Sequence, residues 1–175
     1  MNDAGRRVRV AGLIDHDHKV VRISPVPTYQ EQRFTTGHEL GHGVLHPGIS
    51  GLHRDKVIAG PTLRKDTRES DADKFASSYL MPARLLLQRF AQCFGCDHLR
   101  MDEDTAFGLR IPNSDQARRR YRSPRDVSYV VATATWFQNR SFETLANQFR
   151  VSPTAMAIRL EEVGLIDDRS LGKGW

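Results

Sequence analysis

His38 and His42 stand four residues apart, with Glu39 directly after the first, in the stretch FTTGHELGHGVLH. On an α-helix, positions four apart differ by about 40° around the axis, so both imidazoles face one way. Two imidazoles so spaced can grip one cation, and imidazole suits zinc. Glu39 swings about 100° aside. From there it suits the role of general base toward a water beside the cation, which is the logic of an H-E-x-x-H pattern. His46 lies one further turn along. The plain alternative is a helix that happens to carry histidines.

A catalytic zinc takes a third protein ligand and leaves one position open. A metzincin continuation would need glycine at position 45 and histidine at 48; the chain has Leu45 and Gly48. The other common solution is a carboxylate from a following helix. RESDADKFASSYLMP offers Glu69, Asp71 and Asp73. Glu69 and Asp73 share a helix face, whereas Asp71 points elsewhere and reads as a solvated helix start. Glu69 is then the third ligand. Asp73 is placed to hydrogen-bond the outer nitrogen of a ligand histidine, fixing its tautomer and raising its basicity.

RFTTGHELGHGVLH followed by ESDADKFASSYLMP resembles the ImmA/IrrE family of metallopeptidases. The resemblance implies that His38 and His42 are the ligand histidines, Glu39 the catalytic glutamate and Glu69 the third ligand. Asp73 occupies the family's Asn/Asp position. One departure is Tyr79, where leucine is usual. The implied cofactor is one zinc per chain, with another divalent metal as the alternative, in a gluzincin-like set. Glu39 would take a proton from water during attack on a peptide carbonyl and return it to the leaving amine. His46 and Tyr79 are candidate donors to the transition state, although helix capping or packing suffices to explain each.

Several elements must position these groups. Residues 6–14 and 19–23 alternate at period two and read as a β-hairpin around Asp15-His16-Asp17-His18. A helix spans Tyr29 to His46 and stops at Pro47-Gly48. Residues 47–64 read as loop, with a short strand near Val57-Ile58. Helices follow at 67–80 and 82–92, Pro82 serving as the first residue of the latter. Residues 95–125 read as polar and irregular, with the basic run Arg118-Arg119-Arg120-Tyr121-Arg122. Three helices close the chain at 124–137, 141–149 and 152–163. Cys93 and Cys96 form a lone C-x-x-C with no matching second pair and read as incidental. His16, His18 and His53 read as surface turn residues.

SFETLANQFRVSPTAMAIRLEEVGLI (141–166) has the pattern of helix, turn, helix, with Ser152-Pro153 as N-cap and first residue. It resembles the helix-turn-helix that closes the catalytic part of ImmA/IrrE proteins. It departs from many such turns in having Arg150 rather than glycine. The expected fold class is α+β: a small β-sheet or hairpin on zincin-like helices, then a mainly helical module. The expected divisions are 1–95, a connecting segment 96–122, and 123–175.

The chain has 175 residues, 39% apolar and 27% charged, and can bury a real core. No apolar run approaches a membrane span, and MNDAGRRVRV lacks a signal peptide's apolar region, so the expected compartment is the cytoplasm. Net charge is +5. Residues 126–175 nonetheless carry five basic against six acidic residues, a net of −1. Only Arg159 reaches out from the would-be recognition helix, and phosphate attraction dominates DNA affinity. The leading expectation is an endopeptidase whose protein substrate, by resemblance, is an Xre-type helix-turn-helix repressor. The alternatives are a DNA-binding regulator, or the repressor-binding half of a two-gene toxin module, using the metal fold as a scaffold.

Overall fold

A computed structural model describes residues 10–15, 17–47, 52–56, 67–112 and 123–167, with Val10 and residues 52–56 as backbone alone. The chain forms two compact units, Met1–Leu80 and Met81–Trp175. The described residues mix seven helices with short strands, an α+β fold.

In the first unit, β1 (Val10–Asp15) pairs antiparallel with β2 (Val20–Ile23) and with β3 (Leu52–Lys56), giving the order β2-β1-β3. The hairpin expected from period-two alternation is present over these residues. β3 corrects the loop reading of this part of 47–64. LHRDK has no apolar alternation, so the strand is defined by its ladder to β1 rather than by its own pattern. The expected strand at Val57-Ile58 lies outside the described residues, as does the basic run 118–122.

α1 (Tyr29–Leu45) opens on a reciprocal cap. The Thr28 hydroxyl accepts from the Glu31 amide at 3.4 Å, and the Glu31 carboxylate accepts from the Thr28 amide at 2.8 Å. α2 (Thr67–Leu80) follows as expected. α1 is sandwiched by its own periodicity. At 100° per residue, Thr35 and Gly43 lie within about 40° of the Glu39 direction. Gly37 and Gly41 lie about 160° from it, on the opposite side. The Glu39 side meets the inner face of β1, where Gly12 and Ile14 are buried. The Gly37–Gly41 side meets α2. A Cβ on Gly41 would stand 3.1 Å from Ala72 Cα and 3.2 Å from its carbonyl oxygen. One on Gly37 would stand 3.3 Å from Ala76 Cα. Ala72 and Ala76 are fully buried. Glycine in α1 against alanine in α2, both at spacing four, brings the two backbones together.

The second unit begins with α3 (Ala83–Phe94), which buries Leu86, Phe90, Cys93 and Phe94 on one face. Pro82 is its N-cap, not its first residue, and Gly95 ends it at φ 71° with its amide donating to the Ala91 carbonyl. β4 (Leu99–Arg100) and α4 (Glu103–Gly108) lie in the stretch read as irregular. α5 (Pro124–Thr133) is shorter than expected, because Ala134 turns extended and β5 (Trp136–Phe137) pairs with β6 (Arg140–Ser141). An apolar run such as VVATATWF fits helix or strand alike. α6 (Leu145–Gln148), a turn through Arg150, and α7 (Pro153–Glu162) follow, and β7 (Ile166–Asp167) pairs parallel with β4. Phe94 meets Phe137 and Phe142 edge-on at 5.4 and 5.3 Å, within a core that includes Leu145, Met156 and Leu160.

Two substitutions in α1 separate glycine as helix residue from glycine as spacer. Gly43→Ala should stabilise the chain by up to about 1 kcal/mol, since the new methyl meets only the tip of Ile14. Gly41→Val should cost about 1–3 kcal/mol, because the atoms it meets are backbone. Equal effects in urea titration would refute the spacer role. Arg150 holds φ at 54°. Arg150→Gly should therefore raise stability in the same assay, by up to about 1 kcal/mol.

Candidate metal centre

The α1–α2 contact sets the site. His38 and His42 follow Gly37 and Gly41 by one residue, and Glu69 and Asp73 precede Ala72 and Ala76 by three. Shared spacing therefore delivers all four side chains to the seam between the helices. His38 Nε2 and His42 Nε2 stand 3.0 Å apart. Glu69 reaches His38 Nε2 at 3.3 Å and His42 Nε2 at 3.6 Å. Two ligand atoms about 2.0–2.1 Å from one tetrahedral zinc would be about 3.3 Å apart. The three observed separations bracket that edge length. His38, His42 and Glu69 are also the group of potential ligands found within coordinating reach of one another among the described residues. A nitrogen, nitrogen, oxygen donor set of this size fits a zinc-like divalent cation.

Asp73 Oδ1 accepts from His38 Nδ1 at 2.7 Å. The proton on Nδ1 leaves the Nε2 lone pair facing Glu69 and His42. The two histidines are buried, whereas Glu69 and Asp73 are each about 30% exposed, so the cluster opens to solvent on its α2 side. Glu39 has no solvent exposure and sits beneath β1.

The other sequence candidates, His46 and Tyr79, make different contacts. His46 caps α1, its backbone amide donating to the His42 carbonyl at 3.0 Å. Its ring centroid is 5.6 Å from that of His42. Tyr79 is 61% exposed and stacks parallel on Phe75 at 6.0 Å. His46 is not a member of the converging group. Gly37 and Gly41 carry no expected role in the sequence, where only His38, His42, Glu69 and their neighbours stand out. The usable signal was glycine at i and i+4 in one helix together with alanine at i and i+4 in the next.

Residues 1–161 match the family model described as the IrrE N-terminal-like domain, a peptidase family. The chain belongs to that family. The match agrees with the resemblance carried by the two motifs. No curated protein and no solved structure gives a match. In this IrrE N-terminal-like chain the match takes in the whole first unit and runs on into α7. No helix among the described residues is long and apolar enough to cross a membrane.

Two further features of the IrrE N-terminal-like chain bear on function. Arg159, the basic residue of α7, donates to the Met81 carbonyl at 3.1 Å and pairs with Glu162 at 3.1 Å. Its side chain is 12% exposed. Cys93 and Cys96 are free thiols bordering a cavity of about 450 Å³ with His98 and Arg100. Burial pushes both thiols above the ordinary range, and Asp97 adds to the rise at Cys96. Raised values leave little thiolate at neutral pH and a slow nucleophile. Alkylation of both by iodoacetamide in the native chain should be slower at pH 7 than for free cysteine. It should accelerate only as pH climbs past the usual thiol range. Rapid labelling at pH 7 would contradict the protonated state.

Proposed function

We propose that the chain is a zinc-dependent endopeptidase that cleaves a protein substrate, an Xre-type helix-turn-helix repressor, and so derepresses genes. The observation that carries the peptidase reading is the convergence of His38, His42 and Glu69 at 3.0–3.6 Å on two helices of a peptidase-family chain. The repressor as substrate rests on the family resemblance of the motifs.

His38, His42 and Glu69 would hold the metal, and Asp73 would keep His38 in the tautomer that presents Nε2. A bound zinc supplies Lewis-acid polarisation of the scissile carbonyl and acidifies the adjacent water. Glu39 accepts a proton from the attacking water and passes it to the amine nitrogen as the C–N bond breaks. The solvent opening beside Glu69 and Asp73 gives a polypeptide its approach. DNA binding is the weaker alternative, because Arg159 is engaged with Met81 and Glu162.

The test mixes the protein with a candidate Xre-type repressor, with and without chelator. Glu39→Gln should keep one zinc per chain and lose cleavage by about 100-fold or more. Undiminished cleavage by this variant would sink the mechanism. Glu69→Ala should lower zinc stoichiometry, and an unchanged value would remove Glu69 from the ligand set.

A further inference from the structure

Gly12 interrupts an apolar strand, VAGLID, without any conformational need for glycine. Its φ lies outside the left-handed region, in which Gly95 and Gly164 are found. Space provides the reason. A Cβ at position 12 would stand 2.5 Å from Glu39 Oε1, 3.0 Å from Glu39 Cγ and 2.6 Å from Thr35 Cγ2. The backbone of β1 therefore lies directly against the carboxylate of the proposed base.

A second observation concerns the ladder. β1 pairs with β3 at Val10↔Lys56 and next at Leu13↔Arg54, three residues against two. The extra residue of β1 falls within this interval, which contains Gly12. On its other side β1 keeps regular register with β2 from Gly12↔Ile23 to Asp15↔Val20. Bulges re-aim a strand locally, and a glycine within a strand commonly marks such a point or a close approach. Here both coincide over one side chain.

From these we infer that Gly12 is a positioning residue for Glu39: the glycine at the β1 bulge forms a notch that sets where the carboxylate rests. The inference builds on the proposed role of Glu39 as base. The carboxylate is fully buried, so a methyl group at 12 cannot be met by swinging it into solvent. It must shift within the site, and displacing a reacting group by about 1 Å can cost on the order of 100-fold in rate. The metal ligands occupy a different face of α1 and would be left in place.

The test is Gly12→Ala, alone and combined with Glu39→Asp, whose carboxylate is withdrawn by one methylene. With Glu39 present, Gly12→Ala should keep one zinc per chain and leave KM for the repressor within about twofold. It should lower kcat at least about tenfold. Its melting temperature should fall, and should fall less in the Glu39→Asp background. An unchanged kcat, or a parallel loss of kcat and zinc, would overturn the positioning role. An equal fall in melting temperature in both backgrounds would do the same. If Gly12→Ala does not fold, the comparison runs in Thr35→Ser, which removes the competing methyl contact. Full activity of Glu39→Gln would refute the base assignment, while the melting comparison would still decide whether positions 12 and 39 are coupled.

Discussion

The first unit depends on how closely α1 approaches α2. Gly37 and Gly41 have no side chains to hold off Ala72 and Ala76, and the Cβ positions they lack would fall 3.1–3.3 Å from the α2 backbone. Helices with ordinary side chains at the contact run 8–10 Å apart. Across that close contact Glu69 meets His38 and His42, and Asp73 meets His38. Each interior glycine costs α1 about 1 kcal/mol of helix propensity. The helix is held instead by tertiary contacts on opposite flanks and by its Thr28–Glu31 cap.

The periodicity of α1 divides its work. One flank, with Thr35, Glu39 and Gly43, lies under β1; the opposite flank, with Gly37 and Gly41, lies on α2. His38 and His42 fall between them, about 80° from the Glu39 direction. The proposed base is thus set by a strand, and the proposed ligands by a helix. On the proposed reading, a change at one flank alters proton transfer or metal affinity without altering the other. A single H-E-x-x-H turn can serve both proposed roles because consecutive helix residues point about 100° apart.

The convergence of His38, His42 and Glu69 was legible in the sequence because a metal site, as proposed, calls for particular residue types at particular spacings. Imidazoles at spacing four, and an acid pair at spacing four on the next helix, point to a shared cation. Packing was less visible. Glycines 37 and 41 contribute by what they lack, and propensity counts that only as a defect. β3 escaped notice because LHRDK has no apolar alternation, and its place comes from pairing with β1. In the second unit, α5 was drawn too long because alternative folds of VVATATWF bury the same apolar residues. Arg150 was recognised as an odd turn residue, and it does adopt the left-handed conformation that glycine would take freely. The engagement of Arg159 with Met81 depends on a contact 78 residues away, which no local pattern reveals.

The charges at the seam bear on how metal and fold are linked. Glu69 and Asp73 bring two carboxylates, each about 30% exposed, to the two imidazoles at the seam. Carboxylates drawn close together repel one another unless positive charge stands between them. The small-residue contact between α1 and α2 would thus bring like charges together as it brings the helices together. A divalent cation held by His38, His42 and Glu69 reverses that balance and joins the two helices through three ligand atoms. On the proposed reading, the metal that serves hydrolysis therefore also favours the close helix contact that forms its site, so that binding and local folding reinforce each other.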